Sequence, residues 1–68
     1  MKEVTKDDFY QVIGPLNVMV STIGDYPYTS EFRLKDSNIL IGRVIPRKES
    51  STYPYFINHY YLYDKYET

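Results

Sequence analysis

The sequence predicts an α+β domain, with one short N-terminal helix packed on a three- to four-stranded antiparallel sheet. Two observations carry that prediction. Apolar residues recur at helical spacing only near the start of the chain. Beyond Leu16 the chain reads as β-branched or aromatic stretches cut by turn signals. Length sets the scale, since 68 residues make a single small domain, 1–68, with a modest core.

The helix comes first. Thr5 suits an N-cap, and Asp8 three residues on faces the positive end of the helix dipole. Glu or Gln is more usual at that place, so the capping box is a weak one. Val4 and Phe9 have the spacing of a hydrophobic staple. Phe9, Val12, Ile13 and Leu16 form one apolar stripe, and Gly14-Pro15 stops it. The predicted helix runs from Lys6 to about Ile13. It is too short to stand alone and must dock.

Strand signals follow. Asn17 to Ile23 is rich in β-branched residues, and Gly24-Asp25 breaks it. Tyr28 to Lys35 alternates, with Tyr28, Ser30, Phe32 and Leu34 on one face and Thr29, Glu31, Arg33 and Lys35 on the other. Asp36-Ser37-Asn38 reads as a turn, with Asn38 suited to a left-handed conformation. Ile39 to Ile45 is the returning strand, and Pro46 is expected to end its hydrogen bonding. A four-residue loop would pair Phe32 with Ile41, whereas a three-residue loop would set Phe32 over Gly42 and Glu31 opposite Arg43. Arg47 to Thr52 reads as a polar loop. Tyr55 to Tyr63 alternates as a last strand, for which a C-terminal helix is the competing reading. Tyr-Pro-Tyr occurs at 26–28 and again at 53–55, too short to count as a repeat.

Composition narrows the function classes. Eight basic against nine acidic residues lack the cationic excess of a dedicated nucleic-acid binder. With no cysteine, disulfides and thiol chemistry are out, and a reducing, cytoplasmic setting is the expectation. The N-terminus has no apolar stretch of signal-peptide length, and Ile39-Leu40-Ile41 is far short of a membrane span. Gly14, Gly24 and Gly42 are isolated and match no phosphate-binding fingerprint. Asp7 and Asp8 diverge by about 100° on a helix, so they do not converge on a metal. No catalytic, cofactor-binding or metal-ligating set is expected.

Tyrosine is the unusual feature. Nine are present, and six of them, Tyr53, Tyr55, Tyr60, Tyr61, Tyr63 and Tyr66, fall after residue 52. Such rings favour surfaces that become covered. The expected function is a non-enzymatic protein-interaction module, an inhibitor or adaptor of the kind phages and mobile elements encode. It binds through a tyrosine-rich sheet face and pairs as a homodimer across the aromatic strand. Tyr55, Tyr61 and Tyr63 are the expected anchors, with Tyr53 and Arg43 at the rim. The alternative is single-stranded nucleic-acid binding through Arg33, Arg43, Arg47 and Lys48 with stacking tyrosines. A small hydrolase using His59, the single histidine, ranks third.

Overall fold

The computed structural model describes residues 1–63 of the chain. Its elements are β1 (Lys2–Val4), α1 (Lys6–Ile13), β2 (Val18–Ile23), β3 (Thr29–Leu34), β4 (Leu40–Lys48) and β5 (Phe56–Leu62). The fold is α+β with one short helix, and the antiparallel sheet has five strands in the order β1-β5-β4-β3-β2. The additional strand is β1, which pairs Lys2 with Leu62 and Val4 with Tyr60. Three residues of the type Lys-Glu-Val have no periodicity to read.

Helix α1 forms where the capping chemistry places it. Thr5 is extended (φ −72°, ψ 159°), and its hydroxyl oxygen accepts the Asp8 N–H at 3.1 Å. Phe9 and Ile13 face the sheet and are buried. Gly14 is right-handed (φ −54°), so Pro15, which cannot continue the hydrogen-bond ladder, ends the helix.

The β3–β4 hairpin combines both registers open to its sequence. Next to the turn, Leu34 N–H donates to Ile39 C=O at 2.9 Å and Arg33 lies opposite Leu40, the register of a four-residue loop. Asn38 takes the left-handed conformation (φ 60°) that closes the turn. Farther out, Phe32 lies opposite Gly42 and Glu31 opposite Arg43, the register of a shorter loop. A bulge joins the two, with Ile41 as the extra residue. The bulge sends both Ile41 and Gly42 toward the helix. Ile41 is wholly buried, and an added Cβ on Gly42 would sit 2.7 Å from the Tyr61 carbonyl oxygen and 2.8 Å from the Phe9 ring.

The core is a single cluster of Phe9, Ile13, Phe32, Ile41, Val44 and Leu62 between helix and sheet. Phe9 is its centre, edge-on to Phe32 with ring centroids 5.1 Å apart and tilted over Tyr60 at 5.4 Å. Pro46 does not end β4, which runs on to Lys48 paired with β5. Pairing with β3 reaches only to Val44. Pro46 therefore lies where β4 has a neighbour on one side, a place that tolerates a missing N–H.

Candidate functional site

Two loops define one end of the molecule. β2 and β4 run in the same direction with antiparallel β3 between them, so the β2–β3 loop and the β4–β5 loop emerge side by side. Each loop carries one Tyr-Pro-Tyr segment. Gly24 (φ +80°) turns the chain into the first. The Tyr26 ring then stands edge-on to Tyr28, at 6.0 Å and 85°, and to Phe56 at the start of β5, at 6.2 Å and 87°. Tyr26 is 76% exposed and Tyr53 89%, while Tyr28 and Tyr55 are about half exposed. The result is an aromatic end, flanked by exposed Ile23 and Ile57.

The sheet face opposite α1 has a different character. Ser21, Glu31, Arg43, Tyr61 and Glu3 form one cross-strand row, each opposite the next. Arg43 places Nε and Nη2 3.0 and 2.7 Å from Glu31 Oε2, and Arg33 Nη2 lies 3.4 Å from Glu31 Oε1. Arg47 donates to the Tyr61 hydroxyl from Nε at 3.4 Å and Nη2 at 3.2 Å, with its guanidinium carbon 6.0 Å from the ring centroid. Beside this row His59 is held at both ring nitrogens. Nδ1 is 2.5 Å from Glu3 Oε2 and Nε2 is 2.6 Å from Glu49 Oε1. Two carboxylates at once require both nitrogens to donate, which is the imidazolium form. The hydrogen bond to Glu3 is the main cause that raises the His59 pKa above 6.5, with Glu49 adding to it against partial desolvation.

The predicted interface residues are thus divided. Tyr53 and Tyr55 belong to the aromatic end. Tyr61 and Arg43 lie mid-sheet, half-buried and tied into the polar row. Tyr63 is half-buried at the opposite end of β5, where its N–H donates to Ile41 C=O at 3.0 Å. Tyr60 turns to the helix side against Phe9 and Tyr10. Tyr66 lies outside the described residues. β5 is not an edge strand, because β4 flanks it on one side and β1 on the other over Tyr60–Leu62.

Of the basic set, Arg33 and Arg43 share Glu31, Arg47 is bound to Tyr61, and Lys48 is exposed at the end of β4. They form no continuous cationic stripe. His59 has carboxylates on opposite nitrogens, so the three groups do not converge on one point, and no metal-binding cluster occurs among the described residues. An open hollow lined by Lys2, Glu3, Val4, Thr5 and Asp8 offers no nucleophile paired with a base. Among the described residues no helix is long and apolar enough to cross a membrane.

Comparison with protein-family models, with curated proteins and with solved structures finds no match to this chain.

Sequence reasoning missed that Tyr26, Tyr28 and Phe56 lie at the same end of the molecule as Tyr53 and Tyr55. The doubled Tyr-Pro-Tyr was the available signal. Its meaning depends on strand order, which decides whether two loops share an end.

Proposed function

We propose that this chain is a small, non-enzymatic protein-interaction module of the inhibitor or adaptor type, binding its partner through the aromatic end. One observation carries the reading. The core closes without Tyr26, Tyr28, Tyr53 or Tyr55, yet the topology brings all four to one exposed place. Rigid, amphipathic rings of this kind supply large contact area at low entropic cost, and clustered tyrosines dominate binding energy at interfaces. The site therefore moves from the sheet face to its end, with Tyr53 and Tyr55 retained. A reducing cytoplasm suits a chain without cysteine.

Single-stranded nucleic acid fits less well, because the guanidinium groups of Arg33, Arg43 and Arg47 are already engaged within the sheet. The deciding experiment uses a tagged chain and an extract of its source organism, followed by calorimetry with the purified partner. A Tyr26→Ala, Tyr53→Ala double variant, altering two highly exposed rings, should bind about 10- to 100-fold more weakly with an unchanged circular dichroism spectrum. Equal affinity of variant and wild type rejects the aromatic end.

A further inference from the structure

The two edges of the sheet are built differently. β1 is three residues long and carries Lys2 and Glu3, the short, charged form that discourages strand pairing. β2 has six residues, Val-Met-Val-Ser-Thr-Ile, with no charge, proline or bulge. Val20 is 54% exposed, Ile23 41% and Met19 37%, so both faces of this strand remain partly uncovered. Lys35 N–H donates to Asn17 C=O at 3.0 Å, which fixes the hydrogen-bonding parity of the β2–β3 ladder. The backbone groups of Val18, Val20 and Thr22 consequently point away from β3. Among the described residues no strand pairs with that side.

We propose that β2 pairs antiparallel with β2 of a second copy of this chain, joining the two sheets into one. Residues opposite one another in an antiparallel ladder share a face, so the two-fold axis must pass midway between a residue and its own equivalent in the other copy. Val20 is the middle residue whose backbone groups point away from β3, and it faces Val20 of the other copy across the axis. Val18 then faces Thr22 of the other copy, and these pairs exchange N–H···O=C bonds. Met19 faces Ser21 on the other side of the sheet. No like charges meet, because Asn17 to Gly24 contains no charged residue. A second copy therefore satisfies the edge along its whole length, the isologous arrangement of a symmetric dimer. This surface meets the aromatic end only at Ile23, and the inference stands without that reading.

The test uses the full chain. Light scattering at increasing concentration should reach twice the 8.1 kDa chain mass. Val20→Lys sets two ammonium groups against each other at the axis and should weaken association by about tenfold or more with the fold retained. Val20→Cys introduces the sole thiol and should give a disulfide-linked dimer on mild oxidation, since paired Cα atoms lie about 5.5 Å apart. Ile23→Cys should not, because the two positions fall about 20 Å apart along the strands. Should Val20→Lys unfold, slow amide exchange at Val18, Val20 and Thr22 in the wild-type chain supports the pairing, and fast exchange there rejects it. A single-chain mass at the highest soluble concentration overturns the proposal. So does equal cross-linking of the two cysteine variants, or a dimer indifferent to Val20→Lys.

Discussion

A carboxylate on a sheet face with no helix above it is expected to be wet, yet Glu31 is only 7% exposed. Arg43 and Arg33 cover it while making its hydrogen bonds, so part of the second face is roofed by the sheet's own long side chains. Reading Glu31 opposite Arg43 from the sequence required the right register, and only one of two registers supplied it. His59 was legible only as a lone histidine, because Glu3 and Glu49 lie 56 and 10 residues away in the chain. Its geometry sets a pH dependence. The folded pKa is raised, so the stabilisation is fully present below 6.5, the unfolded value, and is lost as pH rises through the higher folded value. Imidazole NMR titration should give a midpoint above 6.5, and His59→Gln should remove the loss of thermal stability across that interval. A midpoint at or below the ordinary value would mean that the two carboxylates do not hold the ring.

Among the elements, α1 was the most legible. Its cap, stripe and terminator are local, and local chemistry survives folding unchanged. The Asn38 turn was legible for the same reason. The β3–β4 register was not, since a four-residue and a three-residue loop give different pairings and the bulge at Ile41 combines the two. That compromise depends on Gly42, beside the bulge and under the Phe9 ring. Replacing it asks both the Tyr61 carbonyl and the Phe9 side chain to move, and both belong to packed structure. Gly42→Ala should cost about 1–3 kcal/mol in a urea titration, within the range for overpacked cores. An unchanged midpoint would show that Phe9 yields freely and that the helix is loosely seated.

At the scale of the whole molecule, the chain separates its surfaces. The helix side is a closed core, the opposite face is largely polar and self-bonded, and apolar exposure gathers at the aromatic end and along β2. Composition foretold an excess of rings over core. It could not say where the excess would collect, because that follows from strand order. Antiparallel pairing of β2 would direct the two aromatic ends of a dimer in opposite directions, so no compact partner could touch both. Each end would bind its own partner with no gain from linkage. Light scattering of the saturated complex should therefore give two partners per dimer, and the Val20→Lys chain should bind one partner with unchanged affinity. A dimer that holds a single partner, or a monomeric variant that loses partner affinity, would show that the edge and the aromatic end form one continuous interface.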